Sequence, residues 1–243
     1  FVGIVVTIFI SILGFGINFL PLQLSLKLIL VLIAMLLTLR LFKSQLAPAL
    51  ATGLLPIVTN AHSPLFLIAI LVFVFLLYLS IKLFRIKPTE NSVPINYIGH
   101  NRWLIGICLT WFLICYLTGY IYFSAIPPVI VISFETLNNP ALKLYVRLKR
   151  ILVMFLASLI GCLTIKYLDN LLLAGLIDLT LVAILLKLMD LRLPPAFAMV
   201  ILPMILPEKS LFYLPIATLV MSIFFMLTIY IIQKKMYPKP IDF

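Results

Sequence analysis

The sequence predicts an all-helical polytopic membrane protein made of two parallel six-segment repeats, the first incomplete at its N-terminus. Three observations carry that expectation. Hydrophobic residues make up 65% of the chain, charged residues 10%, and the mean hydropathy is +1.28; a soluble domain is about half apolar and about a quarter charged. The chain also matches itself. Residues 44–63 (SQLAPALATGLLPIVTNAHS) align with 191–210 (LRLPPAFAMVILPMILPEKS) at an offset of 147, with identities at Leu46/Leu193, Pro48/Pro195, Ala49/Ala196, Ala51/Ala198, Leu55/Leu202, Pro56/Pro203 and Ser63/Ser210. The same offset pairs Ser11-Ile12-Leu13-Gly14 with Ser158-Leu159-Ile160-Gly161, and Arg40 with Lys187. Self-similarity at a fixed offset marks an internal duplication. The third observation is the placement of charge, which depends on the segments themselves.

Apolar runs long enough to cross or enter a hydrocarbon core of roughly 30 Å fall at 1–19, 24–42, 46–59 and 64–84 in the first copy. The second copy supplies 103–124, 126–138, 151–168, 170–189, 193–206 and 211–233. The runs 46–59, 126–138 and 193–206 are short and carry prolines. Residues 103–140 of the second copy correspond to positions before residue 1, so the natural protein is expected to extend further at its N-terminus. Between the copies, KPTENSVPINYIGHNR (87–102) is a polar connector punctuated by Pro88, Pro94 and Gly99. The expected division is therefore a first repeat at 1–86, a linker at 87–102, a second repeat at 103–235 and a tail at 236–243.

If every short segment crosses, all of the 18 Lys and Arg except Lys27, Lys166 and Lys209 fall on one face. That is a positive-inside pattern, with the linker and C-terminus cytoplasmic. The net charge of +11 is then a topology signal that suits anionic lipid, and nucleic acid is not an expected partner. The expected location is a plasma membrane of bacterial type. Six segments per copy bring both copies into the membrane the same way up. The Pro-Pro pairs opening 126–138 and 193–206 further hint at inverted halves within one copy.

Proline removes a backbone donor and disfavours helix in the residue before it. A Pro-Pro pair followed by a dozen apolar residues reads as an extended opening and a half-helix whose N-terminus lies within the membrane. Such a terminus suits an anion, and broken helices in corresponding places of two repeats point to a transporter's substrate site. The candidate binding residues are Pro127, Pro128 and Val129, Pro194, Pro195 and Ala196, and Pro48 and Ala49. The alternative for these prolines is a simple kink in packed helices.

Two acids are candidates for coupling or gating. Asp178 lies mid-segment in LLLAGLIDLTLVAILLKL, where an ionisable group is expensive and functional by default. Its counterpart in the first copy is Val31, so the repeat does not require the acid. Glu135 precedes Lys143, Arg147 and Arg150, which leaves a structural ion pair and a transport role both open. Cys108, Cys115 and Cys162 lie in apolar runs without metal-ligand spacing. His62 and His100 fall in expected loops, and no cofactor is indicated. No HExxH, GxSxG or phosphate-loop motif suggests an enzyme.

SFETLNNPALKLYVRLKRILVMFLASLIG (133–161) followed by LAGLIDLTLVAILLKLMDLRLPPAFA (173–198) resembles the HPP family of integral membrane proteins. The matching positions are Asn139, Pro140, Ala141, Ser158, Gly161, Pro194, Pro195 and Ala196. The signature His is replaced by Leu193, and by Leu46 in the first copy, and the glycine after the signature Ala is Phe197. Whatever chemistry that His serves does not transfer. The resemblance implies a nitrite-like small-anion carrier. Duplicated, basic, proline-broken halves are also similar to aromatic-acid exporters of the fusaric-acid-resistance type. From another class, a non-transporting membrane scaffold or subunit fits the composition, and a homo-oligomer is compatible with either reading.

Overall fold

The structure is a computed structural model and describes residues 2–44, 46–84, 100–120, 123–207 and 211–236. Among these residues the regular structure is all helical, with no strand. Most of the 87–102 linker and of the C-terminal tail lies outside them.

The chain divides into two compact units, Phe1–Phe112 and Leu113–Phe243. The N-terminal unit contains α1 (Val2–Asn18), α2 (Leu24–Leu41), α3 (Ala47–Val58) and α4 (Leu65–Leu83). Helix α5 (His100–Thr118) carries the division between units, which therefore falls inside a helix and not in the linker. His100, expected in a loop, is the first residue of α5. The C-terminal unit holds α6 (Pro127–Leu137), α7 (Leu144–Tyr167), α8 (Leu171–Leu188), α9 (Pro195–Ile201), a 3₁₀ turn at Leu202–Ile205, and α10 (Leu214–Met236).

Helices α2, α7, α8 and α10 are long and apolar enough to cross a membrane. At 1.5 Å per residue, α3 and α6 reach only roughly 16–18 Å, about half of a hydrocarbon core. The largest departure from the expected segments is α7, which begins at Leu144 instead of residue 151. Its first two turns are basic, so hydropathy hides them, yet Arg147 within them is buried. Large apolar side chains such as Leu172, Leu176 and Leu188 of α8 lie exposed, as a lipid-facing helix requires.

In the N-terminal unit α1 packs on α2, α3 and α4. Its buried face is Val6, Ile10, Gly14 and Ile17, spaced at three and four residues. A Cβ on Gly14 would collide with the Gly53 carbonyl, so glycine is what lets α1 and α3 touch through their backbones. In the C-terminal unit α7 packs on α8, α9 and α10, and α6 packs on α9 and α10. A Cβ on Gly161 of α7 would likewise overlap the Val200 carbonyl of α9. Both partners of this second contact stand 147 residues after those of the first.

Helix ends repeat the offset. Helices α2 and α8 begin and end 147 residues apart. Each closes with a left-handed residue, Lys43 at φ 48° and Asp190 at φ 50°. Ser44 N–H then donates to Leu39 O at 2.9 Å and Leu191 N–H to Leu186 O at 3.0 Å, the paired bonds of a Schellman close. The two ends differ at the start, where Asn170 caps α8 by accepting from Leu172 and Leu173 N–H, while Gln23 makes no such bond.

Candidate functional site

The proline openings hold fewer free donors than an anion site needs. At α6, Pro127 and Pro128 have no N–H, and the amides of Val129 and Ile130 both donate to Ile126 O, at 3.0 and 3.3 Å. At α9, Ala196 N–H donates to Leu193 O at 3.0 Å and Phe197 N–H to Pro194 O at 3.1 Å. At α3, Ala49 N–H donates to Leu46 O at 3.1 Å. Tight turns take up the amides that the sequence reading reserved for a ligand. Pro127, Pro128, Val129, Pro195, Ala196 and Ala49 are buried, whereas Pro194 and Pro48 are exposed. The structure brings the first two openings into one unit, with α6 packed on α9, and places α3 in the other. Helix α9 ends after seven residues and passes into the 3₁₀ turn that holds Pro203, whereas α3 runs on through the equivalent Pro56.

Asp178 is different. It lies on the buried face of α8 with Ala174, Val182 and Leu186, spaced at four residues. It is fully buried, and neither carboxylate oxygen has a hydrogen-bond partner. Thr164 and Cys162 of α7 lie beside it, but the Thr164 hydroxyl donates to Ile160 O at 2.9 Å. Further along α7, the Ser158 hydroxyl lies 3.5 Å from that of Thr218 of α10, whose proton goes to Leu214 O at 2.8 Å, and Ser222 one turn on has a buried, unpaired hydroxyl. A buried polar group without a partner costs about 1–3 kcal/mol. Such costs persist where they serve function.

A second cluster joins the end of α6, the start of α7 and the end of α10. Arg147, 1% exposed, donates through Nη2 to Gln233 Oε1 at 2.5 Å and through Nε to Leu142 O at 3.1 Å. Its guanidinium also lies over the Tyr230 ring, 5.7 Å from the centroid. Gln233, fully buried, donates through Nε2 to the Thr136 and Leu137 carbonyls at 2.9 and 3.0 Å, capping α6. Arg150 Nη1 donates to Thr136 Oγ1 at 2.8 Å. Glu135 sits within charge reach of Arg150, but neither arginine has a carboxylate at ion-pair distance among the described residues. Of the two readings left open for Glu135, the ion pair is therefore not formed among the described residues. Arg147 Nη1, Arg150 Nε and both amide atoms of Asn138 remain buried and unpaired.

Sequence reading named Arg147 and Arg150 only as neighbours of Glu135, and missed Gln233 and Asn138. One signal was legible: Gln233 stands on an apolar stripe with Met226 and Ile229, where a polar residue has to find a partner. His62, in its loop, meets Asn60 Oδ1 at 3.0 Å and the edge of Phe19. No family model matches the chain, and no curated protein or solved structure is significantly similar to it.

Proposed function

We propose that this chain is a membrane transporter or channel for a small anionic solute, a nitrite-like ion or an organic acid, built from two parallel copies of one repeat. The observation that carries the reading is Asp178, a fully buried, unpaired carboxyl in the middle of a helix long enough to cross the bilayer. A packing residue would not be kept at that cost, whereas a group that carries a proton with an anion, or repels it, has to sit there. The shared offset of helices, Schellman ends and glycine contacts supports the duplication. Asn139, Pro140, Ala141, Ser158, Gly161, Pro194, Pro195 and Ala196 support a kinship with the HPP family.

The test is flux of nitrite and of benzoate into proteoliposomes, measured against empty vesicles at two pH values. Protein-dependent, pH-sensitive uptake of either supports transport. Uptake equal to that of empty vesicles for both removes it. The scaffold reading has one observation of its own: α4 has no buried position among its described residues and carries Phe73 and Phe75 outward. Under that reading α4 is a partner-binding face, and its Phe73→Ala and Phe75→Ala variants lose a co-purifying subunit.

A further inference from the structure

The cluster at the end of α6 carries more positive charge than the protein around it neutralises. The Arg147 and Arg150 guanidiniums lie close enough for Arg150 to act on Arg147, and the charge of Glu135 reaches Arg150 alone. Capping α6 explains part of the arrangement, since Gln233 and Arg147 together satisfy three carbonyl groups near the helix end. It does not explain the donors left over. Arg147 Nη1 and Arg150 Nε are buried and unspent, and a buried guanidinium without a counter-charge is strongly unfavourable. Asn138, the C-cap residue of the same helix, adds an unpaired amide donor and an unpaired amide acceptor.

We propose that Arg147, Arg150 and Asn138 form a binding site for an anionic oxygen group: a small oxyanion or carboxylate from solution, or the phosphate of a lipid headgroup. The inference deepens the transport reading and, for its role in transport, rests on it. A guanidinium offers parallel donors matched to carboxylate and phosphate oxygens. An anion that also carries a hydroxyl would satisfy Asn138 Oδ1 as a donor. Arg150, Glu135 and Asn138 are only partly buried, so the cluster stands beside the surface, while its unpaired atoms are themselves covered. Arg147 is held through Nε and Nη2 by Leu142 and Gln233, which leaves Nη1 as its unpaired nitrogen and fixes it in place before any ligand arrives.

The experiment uses the full chain, delipidated in neutral detergent. Thermal unfolding is followed by a thiol-reactive dye reporting Cys108, Cys115 and Cys162, which are buried or half-buried until the protein opens. Inorganic phosphate is titrated against chloride at equal ionic strength, and phosphatidylglycerol is titrated separately in mixed micelles. The wild type should be stabilised saturably by one of the two probes. Phosphate acting alone identifies a solute site, and phosphatidylglycerol alone a headgroup site. Arg150→Gln should weaken the apparent Kd by about tenfold, the loss of one charge-assisted hydrogen bond. Arg150→Lys should recover part of it. If Arg150→Gln fails to fold, Asn138→Ala replaces it, because Asn138 makes no side-chain bond whose loss would unfold the chain. No saturable response to either probe, or an equal response in wild type and variants, overturns the site. The readout is binding and not flux. A protein that binds but moves no anion overturns the transport reading alone, and one that transports without this response overturns the site alone.

Discussion

A single carboxyl can decide between two kinds of protein when it has nothing to bond to. Asp178 is such a group: buried on every side, beside a threonine whose hydroxyl is already committed to Ile160. Asp178→Asn keeps the size and polarity of the acid but cannot titrate. It should fold normally and abolish the pH dependence of anion flux, measured in proteoliposomes across a pH series. Asp178→Leu separates the readings further. If the acid serves function at the expense of stability, Leu should hold or raise thermal stability by about 1–3 kcal/mol, since it removes an unsatisfied group. If the acid instead packs helices through a bond, Leu should lower stability and leave the pH profile unchanged. An unchanged pH profile in both variants would exclude Asp178 from the mechanism.

Among the elements, the close pairs α1–α3 and α7–α9 depend on glycine where backbones touch. Gly14 and Gly16 make an internal comparison on one helix. Gly14→Ala should destabilise by about 1–3 kcal/mol, because the added methyl meets the Gly53 carbonyl. Gly16→Ala, with nothing within 4 Å of its Cβ, should gain up to about 1 kcal/mol of helix propensity. Thermal unfolding in detergent reads both, and equal shifts would mean that α1 and α3 do not approach as described. The proline openings are a separate matter. Replacing Pro194 and Pro195 with Ala restores two backbone donors and lets helix run back toward Leu193. With the amides at this opening already spent, flux and folded yield should fall together; a loss of flux well beyond that of folded yield would return the opening to the substrate site.

At the scale of the whole molecule, the basic residues predict orientation. The positive-inside pattern predicts that residues 92 and 240 face the cytoplasm and residue 62 the other side. Single cysteines placed there in a background lacking Cys108, Cys115 and Cys162 test this with an impermeant thiol reagent added to intact cells. Only the residue 62 cysteine should react. Labelling at 92 or 240, but not at 62, would invert the topology and with it the side from which the Arg147 cluster is reached.

Helix existence and order were legible in the sequence because apolar runs and proline breaks are local. The expected segments meet the observed helices within a few residues except at the end of α5, which stops at Thr118 instead of residue 124, and at the start of α7. There the basic turn Leu144–Arg150 hides a buried arginine, because hydropathy counts a charge without knowing whether a partner waits for it. The prominence of Asp178 was legible for the same local reason: a charge in an apolar run stands out before any fold is known. Which donors stay free was not. The proline openings looked rich in amides until the turns at Ile126 and Leu193 spent them. Meanwhile the unspent donors of Arg147, Arg150 and Asn138 arise only when α6, α7 and α10 meet, bringing together residues as far apart as 136 and 233. Hydrogen bonds of that reach are set by packing, and packing alone decides which polar groups are satisfied and which are left for a ligand.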